Sequence, residues 1–358
     1  MAAVLIPRSY NKLFLRFTTL ISRNLHCSYK EIVENNTFSL NAISYRKFHK
    51  MSAFSTSSEK SSSLDLSGIF PPIVTPFQEN EDISYDKLTE NFNKWKDVPF
   101  RGYVVQGSNG EYAYMKAEEK IALVQKVREL APKDKLILAG SGCEEQQTWI
   151  SEIHNDERKD PHQKNKLRTF SKFKLTHDYE NYLTNVADNS PIPVILYSVP
   201  ANTGIDLPAE CIIKLSAHSN IIGLKDSGGD ITKIGYVIHK TASRNFQVLA
   251  GSASFLFPSY CLGAVGGVCA LANVLGRQVC QLHELYKQGK MEDAKLLQHK
   301  LIQPNTAVTK TFGVPGLKKS MEFFGYYGGP TRSPLLPLKD AQIAQLREIF
   351  KPFEGFQG

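Results

Sequence analysis

Residues 220–229 read NIIGLKDSGG, and the organisation of the chain is best understood from this stretch. A short apolar run, typical of a fully buried strand, ends at Lys225, and a polar, glycine-rich turn follows. The pattern places the ammonium group of Lys225 at the end of a buried strand, next to a polar turn. Because water-poor surroundings disfavour the charged form, such a lysine can become a neutral amine that forms Schiff bases with ketones. The alternative is that Lys225 is only the first solvated residue after a strand.

Apolar runs of the same kind recur on both sides of this stretch. We predict strands at 68–77, 102–106, 136–140, 193–199, 221–225, 246–251 and 264–270. Amphipathic helical patterns lie between them, and this alternation indicates a parallel sheet. The number of residues from the start of the third of these strands to the start of the fourth is about twice the number between the other neighbouring strands. One further βα unit there would make eight, the number that closes a (β/α)8 TIM barrel.

The segment that should hold the additional strand has an unusual composition. From Glu144 to Leu175 it is rich in Asn, Asp, Lys and Glu, and it contains no run typical of a buried strand. We therefore expect the fourth βα unit to be atypical or missing, with residues 145–175 aberrant or disordered. A barrel that lacked one strand would expose two edges with unpaired backbone groups, which is costly.

The chain divides into three predicted parts. Residues 1–64 are predicted to be a transit peptide and a serine-rich linker, because the first 30 residues carry Arg and Lys without any acid, as mitochondrial transit peptides do. A basic arm without a targeting role is the alternative. The (β/α)8 barrel is predicted over residues 65–302. A C-terminal helical extension, broken at glycine- and proline-containing turns, is predicted over residues 303–358.

Composition argues against several classes of function. The net charge is +8, but much of the excess lies in the amino terminus and in residues 158–174, without a basic stripe that alternates with aromatics, so we expect no nucleic-acid partner. No apolar run is long enough for a membrane span, and we expect no membrane partner. The six cysteines lie far apart and lack a C-x-x-C pair, so neither a disulfide framework nor a zinc site is expected.

Three features lie where TIM barrels carry catalytic groups, at the carboxyl ends of strands. Residues 107–111, GSNGE, offer a hydroxyl, an amide and closely spaced backbone N–H groups to an anion, although Ser-Asn-Gly is also an ordinary turn sequence. Tyr197 ends one predicted strand and Lys225 the next, which makes them neighbours. A phenol beside an amine can relay protons. A tyrosine that only fills the core is the alternative for Tyr197.

Several phrases together make the chain from about Gly68 to Leu338 resemble a known family. They are GSNGE at 107–111, YSVPANTG at 197–204, KDSGG at 225–229, GS at 251–252 and GAVGGVCALANVLG at 263–276. The family that they resemble is the dihydrodipicolinate synthase and N-acetylneuraminate lyase family of pyruvate-dependent class I aldolases. The resemblance implies a TIM barrel that forms a Schiff base with a 2-oxo acid.

The family resemblance also implies roles for particular residues. Lys225 would be the Schiff-base lysine and Tyr197 the proton-relay tyrosine. The substrate would be held by Ser108 and Asn109, which bind the pyruvyl carboxylate, and by Ser227 and Gly251, which line the remainder of the site. The resemblance further implies a homotetramer that needs no cofactor and no metal. The nine histidines agree with the last point, since none has ligand spacing beside a carboxylate.

One substitution relative to the family bears on the substrate. Asn202 stands in the loop where dihydrodipicolinate synthases usually carry an arginine. The loss of that guanidinium argues against a semialdehyde partner and favours cleavage of 4-hydroxy-2-oxoglutarate to pyruvate and glyoxylate. A mitochondrial location agrees with a glyoxylate-producing enzyme.

A second departure from the family concerns the fourth strand. Family members have a threonine-proline-tyrosine-tyrosine phrase there, whose second tyrosine reaches the neighbouring subunit's site. By position the phrase should fall near Thr169–Ser171, where this chain has no tyrosine. Three interpretations stay open: a working aldolase with a local departure, an impaired barrel variant that binds keto acids or sister subunits, and a synthase-like lyase of other 2-oxo acids.

Overall fold

The computed structural model describes residues 64–141, 166–170 and 179–358, and of residues 166–170 it describes the backbone. The transit peptide and linker predicted for residues 1–64 therefore lie outside the described residues, except for residue 64. Most of residues 145–175, predicted to be aberrant or disordered, also lie outside them. Within the described part of the chain, no helix is long and apolar enough to cross a membrane.

Eight parallel strands form the centre of the fold. They are β1 Gly68–Phe70, β2 Gly102–Val105, β3 Leu136–Gly140, β4 Lys166–Phe170, β5 Val194–Ser198, β6 Ile221–Asp226, β7 Gln247–Ala250 and β8 Gly266–Val268. Each strand from β2 to β8 pairs with its neighbour in sequence, and β1 pairs with β8. The N–H of Arg101 donates to the carbonyl of Ile69 at 2.9 Å, beside a parallel bridge between Pro72 and Val104. The sheet is thus closed, and the predicted (β/α)8 barrel is confirmed.

The fourth strand corrects one sequence-based expectation. β4 pairs in parallel with β3, from Ile137 opposite Lys166 to Gly140 opposite Thr169, and with β5 on its other side. The interpretation that this strand is missing was wrong. The sequence of β4, KLRTF, is charged and has no buried-strand pattern, so its pairing is set by the two flanking strands and not by its own composition.

Helices follow most strands, and more helices follow the barrel. They are α1 Tyr85–Trp95, α2 Ala117–Leu130, α3 Tyr179–Asp188, α4 Pro200–Thr203, α5 Ala209–Leu215, α6 Ile231–Thr241, α7 Leu256–Cys261, α8 Gly276–Lys287, α9 Met291–Thr306, α10 Gly313–Glu322 and α11 Asp340–Phe350. A π-helical segment, Ala307–Thr311, separates α9 from α10. The helices α10 and α11 lie in the predicted C-terminal helical extension, residues 303–358, whereas α9 begins at Met291, before the predicted boundary.

Side-chain oxygens cap two of the helices. The hydroxyl of Ser84 accepts a hydrogen bond from the N–H of Lys87 at 3.4 Å, which starts α1 as its sequence predicts. The carboxylate of Asp230 accepts from the N–H groups of Thr232 and Lys233 and starts α6. The cap at Asp230 fixes the first turn of α6 directly behind the carboxyl end of β6.

Apolar side chains fill both the barrel and the space around it. The barrel interior is packed by Leu66, Phe70, Val104, Leu136, Leu138, Ile195, Ile222, Leu249 and Val268. The side chains that alternate with these along each strand face the helices. In β5, for example, Val194 and Leu196 pack with Ile212 and Val237. The C-terminal extension shares a third cluster with the barrel helices, through Leu317, Met321, Leu346 and Phe350.

Four of the six cysteines lie within the described residues. Cys211, Cys269 and Cys280 are buried and Cys261 is exposed, and all four are free thiols. Burial raises the pKa of the Cys280 thiol to about 12 and that of Cys211 to about 11, so both remain protonated at neutral pH. Cys27 and Cys143 lie outside the described residues.

Candidate active site

Strand alternation directs Tyr197 and Lys225 into the mouth of the barrel. Leu196 and Leu224 pack against the helices, so the residues that follow them face inwards. Tyr197 and Lys225 are opposite each other in the β5–β6 register. The predicted neighbourhood of the phenol and the amine is confirmed.

The amine of Lys225 is buried against an aromatic face. Lys225 is 4% exposed, and its Nζ lies 3.7 Å from the centre of the Tyr197 ring. The interpretation of Lys225 as a solvated residue after a strand was therefore wrong. A desolvated contact of this kind is worth about 2 kcal/mol when the amine is charged. It also holds Nζ at a fixed place on β6, which a nucleophile needs.

The carboxylate of Asp226, the residue after Lys225, pairs with the ammonium of Lys233. Asp226 is fully buried, and its Oδ2 lies 2.7 Å from the Nζ of Lys233, which also contacts the carboxylate of Asp206. Burial acts to lower the pKa of Lys233, but its bonds to Asp206 and Asp226 outweigh burial and raise it. Among the described residues no carboxylate lies within ion-pair distance of Lys225. Lys233 therefore neutralises Asp226, and the amine of Lys225 is not part of this ion pair.

The same network ties the ends of β5 and β6 together. The hydroxyl of Ser198 donates to Asp206 at 2.7 Å and accepts from the N–H of Leu207 at 3.1 Å. The N–H of Ser227 donates to the carbonyl of Ser198 at 2.8 Å. Since Ser198 follows Tyr197 and Ser227 comes two residues after Lys225, these bonds fix the position of Tyr197 relative to Lys225.

The predicted carboxylate-binding turn reaches the same mouth. Ser108 and Asn109 are half-buried in a 3-10 turn, Ser108–Gly110, after β2. The amide of Asn202, in α4, donates to the hydroxyl of Ser108 at 2.8 Å. Because Asn202 comes five residues after Tyr197, this bond brings the turn beside the carboxyl end of β5.

The hydroxyl of Ser227 lies near both Tyr197 and Gly251. The hydroxyl of Ser227 is 3.5 Å from the phenol oxygen of Tyr197 and 3.4 Å from the carbonyl of Gly251, both long for hydrogen bonds. The N–H of Gly251 donates to the carbonyl of Asp226 at 2.7 Å. A Cβ at position 251 would lie 2.0 Å from the Ser227 hydroxyl, so the close approach requires glycine.

The structure thus brings the six predicted site residues to one end of the barrel, while their roles stay predictions. Asp206 and Lys233 were not predicted, because their pairing joins a loop, a strand and a helix that are separate in sequence. The one local signal was the sequence of Asp226 and Lys233, an acid and a base seven residues apart around a strand-to-helix turn.

Two further expectations concern the family tyrosine of the fourth strand and a metal ion. β4 ends at Phe170, and its five residues contain no tyrosine, so the departure from the family phrase remains. Ser171 lies outside the described residues. The described residues contain no group of three or more His, Cys, Asp and Glu side chains placed to hold a metal ion.

Comparisons with known proteins identify the family of this chain. A model of the dihydrodipicolinate synthetase family matches residues 65–352. The chain is 30% identical over 292 residues to a 4-hydroxy-tetrahydrodipicolinate synthase of Natronomonas pharaonis, covering 81% of this chain and 98% of the relative. It is 28% identical over 292 residues to the 4-hydroxy-tetrahydrodipicolinate synthase of Methanothrix thermoacetophila, with the same coverage of both chains.

Solved structures show the same similarity. A dihydrodipicolinate synthase from Bacillus anthracis superposes with a TM-score of 0.76 at 25% identity, covering 81% of this chain and 99% of the other. A prophage protein of the dihydrodipicolinic acid synthase family from Escherichia coli, crystallised with pyruvate, gives a TM-score of 0.74 at 24% identity, covering 80% and 98% of the two chains. The second similarity concerns the fold alone.

Proposed function

Since the chain belongs to the dihydrodipicolinate synthetase family, we propose that it is a class I aldolase, a carbon-carbon lyase whose Schiff base forms on Lys225. One observation carries the proposal: the amine of Lys225 is buried at the barrel mouth, 3.7 Å from the ring centre of Tyr197. We propose as its reaction the cleavage of 4-hydroxy-2-oxoglutarate to pyruvate and glyoxylate.

The reaction begins with the amine of Lys225. Its lone pair adds to the C2 carbonyl of the substrate, and the resulting carbinolamine loses water to give a cationic imine. Ser108 and Asn109 hold the neighbouring carboxylate through their hydroxyl and amide groups. The imine cation is an electron sink that the free ketone does not provide.

Bond cleavage then uses this electron sink. The C4 hydroxyl gives its proton towards Tyr197, the electrons of the C3–C4 bond move to the imine, and glyoxylate leaves. The resulting enamine is protonated at C3, and water adds to the pyruvate imine. Hydrolysis releases pyruvate and restores the amine of Lys225, so that atoms and charge balance over the cycle.

The absence of an arginine supports this substrate over a semialdehyde. Asn202 stands where the synthases of the family usually carry a guanidinium, and its amide donates to Ser108. An amide provides neither the charge nor the fork of donors with which that guanidinium would hold a semialdehyde partner. A second candidate, condensation of pyruvate with a semialdehyde, is supported by the relatives named above, which are 4-hydroxy-tetrahydrodipicolinate synthases.

Trapping with borohydride tests the Schiff base. The full chain is incubated with pyruvate, reduced, digested and analysed by mass spectrometry, and the adduct is expected on Lys225. Lys225→Arg should give no adduct, whereas Lys240→Arg, which changes an exposed lysine on α6, should give the parent yield. An adduct of unchanged yield in Lys225→Arg would contradict the proposal.

Turnover assays separate the candidate reactions and the impaired variant. Release of glyoxylate from 4-hydroxy-2-oxoglutarate supports the proposed cleavage, and consumption of pyruvate with aspartate semialdehyde supports the second candidate. An impaired variant, whose fourth strand lacks the family tyrosine, would form the adduct on Lys225 but turn over neither substrate. The first two outcomes identify the proposed cleavage and the second candidate, and the third identifies the impaired variant once other 2-oxo acids have also failed to turn over.

Two broader properties belong to the same proposal. We propose a homotetramer, because family resemblance implies one, and the mass of the purified chain by light scattering tests it. We also propose delivery to mitochondria by residues 1–64, whose composition is basic at its start and rich in serine towards its end. A fluorescent protein fused to residues 1–64 should enter mitochondria, and one fused to residues 65–358 should not.

A further inference from the structure

A buried carboxylate lies directly behind the turn that carries Ser108 and Asn109. Glu111 is 2% exposed and follows that turn with a left-handed backbone, φ 57° and ψ 31°. Non-glycine residues adopt this conformation only where their surroundings enforce it. The N–H of Glu111 donates to the carbonyl of Ser108 at 3.3 Å, so the backbone of Glu111 and that of Ser108 are joined.

Both carboxylate oxygens of Glu111 are held by the C-terminal extension. Oε1 lies 2.6 Å from the Nζ of Lys318, on α10, and Oε2 accepts from the backbone N–H of Arg332 at 2.8 Å. The side chains of Glu111 and Lys318 are 0% and 1% exposed. Lys318 also donates to the carbonyl of Pro330 at 2.7 Å and lies 4.5 Å from the ring centre of Phe77.

The side chain of Arg332 makes further contacts around the pair of Glu111 and Lys318. Its guanidinium makes two bonds to the carboxylate of Glu119, at 2.6 and 2.8 Å, and further bonds to the carbonyls of Glu81 and Tyr114. These partners flank the turn in sequence on both sides. The segment after α10 is therefore fixed to the loop after β2 at several points.

A fully buried ion pair is a poor means of increasing stability. Desolvation of two charges offsets most of their attraction, and a well-packed apolar pair of similar volume is often as good or better. What such a pair does provide is one defined geometry, because any displacement would leave a buried charge without its partner. Glu111 of this pair is one backbone hydrogen bond from Ser108. The geometry that the pair defines is therefore that of the turn that carries Ser108 and Asn109.

We propose that Glu111 and Lys318 are positioning residues that set the substrate-binding geometry of Ser108 and Asn109. The C-terminal extension is then part of the apparatus that binds the carboxylate of a 2-oxo acid. This inference rests on the proposed function, since it assumes that the turn binds that carboxylate while Lys225 forms the Schiff base. Neither Glu111 nor Lys318 is assigned any contact with the substrate.

The test measures how trapping on Lys225 depends on pyruvate concentration. Lys318→Met should raise the half-saturating pyruvate concentration about tenfold and leave the borohydride-trapping rate at saturation within about twofold of the parent value, because Lys225 and Tyr197 are untouched. Lys319→Met is the matched control: it lies next in sequence on α10, is about one third exposed and pairs on the surface with Glu322. It should leave both quantities at the parent values.

The same measurement can overturn the inference. If the half-saturating concentration of folded Lys318→Met equals that of Lys319→Met, the pair has no positioning role. Should Lys318→Met fail to fold, Glu111→Gln/Lys318→Met replaces it, because the double variant leaves no buried charge unpaired, and the same two outcomes apply. A parent chain that is never trapped on Lys225 contradicts the proposed function, whereas a trapped parent with unchanged variants contradicts this inference alone.

Discussion

At the scale of single residues, Gly251 is the position where the structure leaves least room. A Cβ there would lie 2.0 Å from the hydroxyl of Ser227 and 2.6 Å from the carbonyl of Asp226. We expect Gly251→Ala to push the loop after β7 away from β6 and to slow pyruvate trapping on Lys225 about 100-fold. The loss in free energy of unfolding should be about 1–3 kcal/mol, as for other overpacked sites. Urea unfolding and trapping rates measure the two effects.

A glycine in open surroundings provides the control. A Cβ at Gly289, which has φ 72°, would meet no atom within 4 Å, and asparagine tolerates this left-handed conformation. Gly289→Asn should therefore keep the parent trapping rate. Equal rates in Gly251→Ala and the parent would show that the site does not depend on this close approach.

His283 should make stability depend on pH. It is 8% exposed, and its Nδ1 lies 2.8 Å from the phenol oxygen of Tyr260. Burial lowers its pKa below the unfolded value of about 6.5. The neutral ring therefore contributes stability that is fully present above the unfolded pKa and is lost as pH falls towards the folded pKa. The free energy of unfolding should decrease from pH 7 to pH 5.

Substitution isolates the contribution of this histidine. His283→Gln should lose less stability than the parent between pH 7 and pH 5 in urea unfolding. His239→Gln, which changes an exposed histidine on α6, should follow the parent. Parallel pH profiles for the parent and His283→Gln would contradict the expected linkage.

At this scale, the sequence predicts that Tyr197 and Lys225 are neighbours. It does not predict Asp206 and Lys233, which support them. Strand period alone directs Tyr197 and Lys225 to one mouth, because both follow a residue that must face the helices. The pairing of Asp226 with Lys233 depends on how α6 packs against β6. The spacing of seven residues between the acid and the base is compatible with this contact but does not by itself predict it.

At the scale of elements, α6 is held to β6 by the ammonium of Lys233. Lys233→Met would leave the carboxylate of Asp226, which is fully buried, without its cation at 2.7 Å. Loss of one partner of a buried pair costs about 3–5 kcal/mol, and we expect a destabilisation of about 3 kcal/mol because Gly228 still donates to Asp226 at 2.9 Å. Urea unfolding at pH 7 measures it.

Another lysine of the same helix serves as the control. Lys240 is exposed, and Lys240→Met should change stability by less than about 0.5 kcal/mol. If the two variants unfold at the same urea concentration, the buried ion pair does not hold α6 in place.

The strands show how far composition predicts an element. Seven of the eight begin within two residues of the predicted positions, because each has an apolar run between turn residues. β4 does not, because its sequence, KLRTF, contains two charged residues and no apolar run. Its strand conformation follows from hydrogen-bonding groups presented by β3 and β5, a constraint that exists only once the barrel closes.

At the scale of the whole molecule, the C-terminal extension was predicted from helical patterns, but its contact with the site was not. α10 contributes Lys318 to the buried pair with Glu111, and these two residues are far apart in sequence. Neither helix period nor composition identifies such a partner. Only the closed barrel, with its extension wrapped against the loop after β2, brings the two charges together.

The two ends of the chain should therefore respond in opposite ways to truncation. Residues 61–358 form a compact unit of their own, and a chain that starts at Ser61 should melt within about 2 °C of the full chain. Removal of residues 340–358 takes away Leu346 and Phe350, both 0% exposed in the core. Each such side chain contributes about 2–5 kcal/mol, so their joint loss is comparable to the whole stability of a typical domain. Calorimetry should show a cooperative transition for the first truncation and none for the second, and a cooperative transition at the parent temperature in the second would mean that α11 is dispensable to the barrel.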